Sequence, residues 1–363
     1  MCFFLFVIIE TLKLKGLMNI IKYEIDMLDV KNADAFLIHF FTETNYEYIV
    51  LVDGGNYNDG EFVAQFVREH YVKQYIDLAI CTHCDKDHFG GIMYLLEQMK
   101  EDVSGHISIG EIWIHDPARH VEKGLIQWVT DKETRNVKAR SVYDINDGNL
   151  WEVLDLLISN GKIKWAEPFS NSSKSDWNGV ISVIGPTIEY YTSLVPDFRN
   201  DLLRKKNGDD KAEPDKIDIE EANETLNKRI DEAYDDSSPH NRSSVIFLFT
   251  PQKGKKYLFT GDACRDSFNN LTDEALYNSL NNLDWLKIPH HGSIHNLDST
   301  LITHFSPKTA YVSTKEYNNY LSRSIINALK KKGVKVYSTN IHGSMNHRNG
   351  TPLKKGYYTA TPL

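Results

Sequence analysis

The order of hydrophobic patterns along the chain predicts an α/β fold. Short β-rich runs alternate with amphipathic helical stretches, a texture that neither an all-α nor an all-β protein shows. The side chains that carry chemistry gather in turns after apolar strands, where open α/β sheets bind ligands. With 363 residues, 41% apolar and 25% charged, the chain can bury a sizeable core in one elaborated domain or two ordinary ones. That composition excludes a collagen-like, low-complexity or wholly disordered protein. A net charge of −9 provides no global positive field, so any nucleic-acid binding must use a local basic stripe.

The opening residues MCFFLFVII have the look of a signal peptide but lack a preceding positive charge and a small-residue cleavage site, and Glu10 follows. Spanning a bilayer takes ~20 apolar residues, more than this run offers. Residues 1–19 are therefore expected to be an N-terminal extension or a mis-assigned start. They read as a buried first strand, a membrane-touching tail, or a leader ahead of a natural start at Met18. No membrane span is expected further on. Four cysteines (Cys2, Cys81, Cys84, Cys264) are too few for a disulfide scaffold, which makes a cytoplasmic location the expectation.

From Ile20 the elements follow in order. IIKYEIDMLDV, AFLIHFFT and YEYIVLVDGG are β-rich runs rising to a turn at Asp53-Gly54-Gly55. Residues 59–74 place Phe62, Phe66, Val67 and Tyr71 at helical spacing. IDLAICT predicts a strand and FGGIMYLLEQMK the helix behind it. EIWIHD predicts another strand, and residues 147–161 a helix capped near Asp147 and stopped at Gly161. VISVIGP reads as a strand, and VIFLFT pairs with KYLFTGDA as a hairpin across the PQKGK turn. LDWLKIP is a further strand, and SRSIINALKKKG with VKVYST closes the chain as helix and strand. No internal repeat is visible.

One segment breaks the texture. Residues 199–236 are dense in charge and poor in aromatics, which predicts a solvated insertion, partly helical over IEEANETLNKRIDEAY. The competing reading is a lid or an arm that docks a protein partner. Deleting residues 205–235 should then leave the candidate ligands untouched.

The decisive stretch is Thr82-His83-Cys84-Asp85-Lys86-Asp87-His88-Phe89-Gly90-Gly91. Imidazoles and carboxylates at 83, 85, 87 and 88 crowd one turn between a strand and a helix. Residues two apart on extended chain point the same way, so His83 and Asp85 can share an ion. Asp87 and His88, where the chain bends into the helix, can face a second. Unpaired, these side chains would be costly to bury. KYLFTGDA delivers Asp262 to a strand end, LKIPHHGS delivers His290 and His291, and SPHNRSS places His240 just before the strand leading to Asp262.

These motifs resemble the metallo-β-lactamase fold superfamily, whose HxHxDH signature is followed by a His, an Asp and a His. Here the pattern is HxDxDH with His240, Asp262 and His291. Asp85 in place of the second His, the GDA motif and the HHGS motif are most similar to the soluble hydrolase domain of ComEC-type competence proteins and their free-standing relatives. The DAFLI and LVDGG segments also resemble that subfamily's first hairpin. The likeness spans residues 22–345 and leaves the charged insertion unexplained.

The resemblance implies an αββα sandwich of the metallo-β-lactamase type over residues 20–363, with the charged insertion at 199–236. Two mixed sheets would lie face to face, helices outside, with the metals at one open edge. It further implies two divalent ions, Zn²⁺ or Mn²⁺. His83, Asp85 and His240 would hold one, Asp87, His88 and His291 the other, and Asp262 would bridge them. His290 is the alternative to His291, and Asp87 and Asp262 are the expected catalytic carboxylates. Asp53 is expected to orient a ligand rather than bind metal. Such a site supplies an activated hydroxide, and no Ser or Cys nucleophile is needed. The carboxylate Asp85 hardens the first position and makes Mn²⁺ a competitor to Zn²⁺ there.

The expected function is a metal-dependent hydrolase of phosphodiesters, a nuclease or a nucleotide phosphodiesterase. The alternatives are a hydrolase of lactones, thioesters or β-lactams, or a non-enzymatic regulatory module. Other signals count for less. Cys81 and Cys84 have CxxC spacing, but the residues around them already belong to the ligand cluster. Cys264 is a minor ligand candidate. Lys253, Lys255, Lys256, Lys330, Lys331, Lys332, Lys354 and Lys355 read first as solvated charge and second as a stripe for a nucleic-acid backbone. His342 and His347 read as surface residues.

Overall fold

The computed structural model of the chain describes residues 19–121, 139–146, 148–172, 176–198, 223–314, 321–355, 357 and 359–363. The readings of MCFFLFVII as strand, tail or leader fall on residues outside these, as does most of the charged insertion. The strands are β1 (Ile20–Met27), β2 (Phe36–Thr42), β3 (Glu47–Val52), β4 (Tyr75–Ile80), β5 (Ser108–Trp113), β6 (Asp144–Ile145), β7 (Gly148–Asn149) and β8 (Lys164–Ala166). After them come β9 (Asp176–Trp177), β10 (Ile181–Gly185), β11 (Ile246–Phe249), β12 (Tyr257–Phe259), β13 (Trp285–Lys287), β14 (Thr309–Val312), β15 (Lys335–Ser338) and β16 (Met345–Asn349).

Two mixed sheets of seven strands each result, in the orders β16-β1-β2-β3-β4-β5-β8 and β15-β14-β13-β12-β11-β10-β9. Strand periodicity explains how they pack. On β2, Phe36, Ile38 and Phe40 face the layer between the sheets, where Phe247, Phe259 and Trp285 of the second sheet meet them. The alternate residues Leu37, Ile49 and Leu51 face a second apolar cluster under helices Asp59–His70, Lys86–Lys100 and Leu150–Ser159. On the far side, Leu248, Leu258 and Leu286 pack under helices Ser299–Phe305 and Arg323–Lys331. These layers make an αββα sandwich.

Strands β3, β4, β5 and β8 are parallel, as are β12 to β15, so each sheet presents several strand ends at one edge. His240 reaches that edge differently from the other candidate ligands. It precedes β11, which runs antiparallel to β12, so a strand start lies beside the strand end carrying Asp262. Helix Leu150–Ser159 is capped by the Asn149 side chain, which accepts from Trp151 N–H.

The insertion needs correction at its C-terminal end. Helix Asn223–Glu232 buries Leu226 and Ile230 in the outer core of the second sheet. Asp235 binds the backbone N–H of Arg265 and of Asp266. A solvated insertion would make none of these contacts, so residues 223–236 belong to the fold. Deleting 205–235 would strip part of its core. Leu226→Ala is expected to lower stability by about 2–5 kcal/mol, measured by denaturant unfolding, with metal uptake unchanged. A truncation without cost would detach the helix from the core.

The lysine stripe is also revised. Lys255 and Lys256 precede β12 and Lys330 to Lys332 precede β15, whereas the candidate ligands follow strand ends. These lysines therefore stand at the sheet edge opposite the ligands. Lys255 pairs with Asp284 at 3.1 Å, and Lys354 is held by Glu24 at 2.7 Å and Asp26 at 2.8 Å. A polyanion lying over the ligands would not pass along them.

Candidate metal centre

The turn after β4 carries Cys81-Thr82-His83-Cys84-Asp85 directly into helix Lys86–Lys100. Two glycines let that helix start against the β3 turn. A Cβ on Gly91 would lie 1.9 Å from the Gly54 carbonyl oxygen, and one on Gly54 would lie 2.5 Å from Ile92 N. The backbone contact is real bonding: Gly54 N–H donates to His88 O at 2.7 Å, and Gly91 N–H to Gly55 O at 3.0 Å. Asp85 occupies the N-cap position in extended backbone yet makes no cap hydrogen bond. Its carboxylate faces His240 Nδ1 at 2.8 Å and His83 Nε2 at 3.5 Å. A capping Asp contributes about 1 kcal/mol to a helix, so this side chain serves the turn instead.

The imidazoles are held from behind. His88 Nδ1 donates to Asp53 Oδ2 at 2.8 Å. Thr82 donates to the same carboxylate through both N–H and hydroxyl, each at 2.7 Å, and its Oγ lies 3.1 Å from His83 Nδ1. His291 Nδ1 donates to the Ser313 carbonyl at 2.9 Å. Asp53 thus orients His88 directly and reaches His83 through Thr82, and with Asp34 and His88 it forms a further group of ligand atoms within 4.8 Å of one another. Orienting one nitrogen from behind leaves the other as the presenting atom, the arrangement of metal-binding histidines.

The presenting atoms converge. The Nε2 atoms of His83 and His88 are buried without a hydrogen-bond partner among the described residues. His88 Nε2 lies 3.4 Å from Asp262 Oδ2 and 3.8 Å from Asp87 Oδ2, and His291 Nε2 lies 3.6 Å from Asp87 Oδ2. Ligand atoms of Asp87, His88 and His291 fall within 4.8 Å of one another, as do those of His83, His88 and Asp262. An unsatisfied buried nitrogen costs about 1–3 kcal/mol, so two side by side call for a ligand.

The electrostatics ask for a cation. Burial opposes charge on His88, but Asp262, Asp53 and Asp87 around it hold its imidazolium well above the ordinary range. Burial would raise Asp262, yet His88 and Lys287 outweigh it and keep this carboxyl well below its usual value. The carboxylates recruit a proton onto His88, and a divalent ion would replace it. The donor set fits Zn²⁺ or Mn²⁺. The backbone is bent to the same end, with left-handed φ at Asp53 (55°), His290 (46°) and His291 (51°). Each costs about 1–2 kcal/mol in an L-residue, and strain of this kind gathers at functional sites.

Two expected residues sit apart from this convergence. His240 has Nδ1 on Asp85 and Nε2 2.9 Å from the Phe198 carbonyl, so it stands behind Asp85. His290 has Nδ1 3.0 Å from Asp236 Oδ2 and Nε2 3.9 Å from Asp262 Oδ2, at 20% side-chain exposure. Cys84 groups with Asp85 and His240, whereas Cys264 lies in a helix cap with Ser267. His342 bonds the Thr361 carbonyl and His347 lies against Tyr257 and Tyr311, neither at the ligand edge.

Asp34, Asp236 and Lys287 escaped the sequence reading. Lys287 left a trace, being a charge on the same strand parity as the inward-facing Trp285. Among the described residues no helix is long and apolar enough to cross a membrane.

No family profile matches the chain. Over 121 residues it is 28% identical to ComE operon protein 3 of Bacillus subtilis (strain 168), covering 32% of this chain and 15% of that protein. A long form RNase Z from yeast is a structural neighbour with a TM-score of 0.35 and 12% identity, covering 80% of this chain and 37% of the other. The chain therefore spans well under two thirds of either protein.

Proposed function

We propose that the chain is a metal-dependent hydrolase of phosphodiesters, acting as a nuclease or a nucleotide phosphodiesterase. The observation that carries this reading is the pair of buried, unpartnered Nε2 atoms of His83 and His88 set among Asp85, Asp87 and Asp262. His83, Asp85, Asp87, His88, Asp262 and His291 would hold two divalent ions. When bound, such ions supply an activated water and a positive field for charge developing on the attacked centre.

The protein's own groups do the rest. Asp53 and Thr82 lock the rings of His83 and His88, and His240 holds Asp85 in place of serving as a ligand. Asp87, with a third of its side chain exposed, stands at the mouth where substrate enters. His290, its ring held by Asp236, donates a hydrogen bond to a substrate oxygen. The carboxylate-rich donor set favours phosphoryl over acyl chemistry, since hard ligands select ions that suit phosphate oxygens.

Protein reconstituted with Mn²⁺ or Zn²⁺ should cleave a bis-aryl phosphodiester, faster with Mn²⁺, and leave β-lactams untouched. Turnover of lactones or thioesters without phosphodiester cleavage would establish the acyl alternative. The two adjacent histidines separate in the same assay. His290→Ala should keep its metal and lose about 10²-fold in kcat, while His291→Ala should lose metal as well. Metal analysis after dialysis checks both, and the reverse pattern would exchange their roles.

A further inference from the structure

Beneath the candidate ligands lies a buried ammonium. Lys287 ends β13, and its side chain is 1% exposed. Its Nζ donates to the Gly261 carbonyl at 2.6 Å, lies 3.3 Å from Asp262 Oδ1, and forms an ion pair with Asp34 Oδ2. Asp34 is buried as well, and its carboxylate lies 3.9 Å from Nδ1 of both His88 and His291. The pair crosses the sandwich, since Asp34 precedes β2 of the first sheet and Lys287 belongs to the second.

We propose that Lys287 is a positioning residue for the metal centre, a built-in cation that anchored by Asp34 holds Asp262 Oδ1 and leaves Oδ2 to face the metals. This rests on the metal-centre reading above. A pair needed only to join the two sheets would be satisfied by Asp34 alone, and well-packed apolar residues there are often no less stable. The ammonium instead spans Asp34 and Asp262. Only Asp262 Oδ2 then faces the pocket, 3.4 Å from His88 Nε2 and 3.9 Å from His290 Nε2. The fixed charge also offsets carboxylate repulsion when metal is absent, which keeps the ligands assembled.

The decisive variant is Lys287→Met combined with Asp34→Asn, which removes both charges and keeps the side-chain volumes. It should fold and still take up two ions at saturating Zn²⁺. Its Zn²⁺ affinity, read by competition with a chromophoric chelator, should weaken by about 10–100-fold. Its kcat should fall by a similar factor while KM stays within about twofold. Affinity and kcat both within about twofold of wild type would overturn the proposal and leave the pair a structural strut. Should the double variant not fold, Asp34→Asn alone decides. An unanchored Lys287 should then move onto Asp262 and weaken Zn²⁺ binding, and unchanged binding would overturn the proposal. Wild-type protein that takes up no metal would instead sink the metal centre itself, a result visible before any variant is made.

Discussion

Asp262→Asn protein is expected to fold like wild type and to lose at least about 10²-fold in phosphodiester cleavage. The side chain follows β12 on a turn whose backbone is held independently, since Asp262 N–H donates to Ser244 Oγ at 3.0 Å. The amide therefore fits without moving the strand. What changes is charge: Oδ2 lies 3.4 Å from His88 Nε2, and in the proposed centre its negative charge would serve both ions. Circular dichroism should match wild type while kcat collapses. Activity within about threefold of wild type would exclude Asp262 as the shared ligand.

Chelation should have the other large effect. Protein stripped of metal is expected to be inactive, to remain folded, and to recover with two ions of Mn²⁺ or Zn²⁺ per chain. It should stay folded because its three apolar clusters do not depend on the ligands. Binding to the native state alone should stabilise the protein by about 2.7 kcal/mol at a metal concentration 100 times Kd, visible as a rise in Tm. No uptake of either metal would remove the metal centre from consideration. One ion per chain would mean that the candidate ligands hold a single ion.

Much of the fold was legible because its signals are local. Helix Lys86–Lys100 and strands β4, β5 and β10 lie where apolar periodicity places them. Six strands, β6 to β9, β14 and β16, were not legible, and two of them show why. β14 is only Thr309–Val312, too short for a periodic signal, yet it pairs between β13 and β15 in the second sheet and leads directly to the carbonyl that holds His291. β16, Met345–Asn349, is polar apart from its first residue and exists because β1 offers an edge to pair with. The charged run at 223–236 misled in the opposite sense. Its composition favours solvent, but Leu226 and Ile230 on one helical face reach the core.

For the candidate centre, the sequence by itself determined which turns bear imidazoles and carboxylates, because side-chain chemistry and strand-end position are written locally. His83, Asp87, His88, Asp262 and His291 needed no coordinates to be singled out. Only the tertiary structure decided what stands behind them. Asp53 under His88, Ser313 under His291, Asp236 under His290, and Asp34 with Lys287 under Asp262 are separated from their partners by 22 to 253 residues along the chain and meet only in the folded protein.

 The physical reason is that a ligand's identity is a property of one residue, whereas its orientation depends on hydrogen bonds made across the fold. The same distinction applies to His240. Its place before β11 brings it to the right edge, and packing against Asp85 and the Phe198 carbonyl turns both ring nitrogens to other partners.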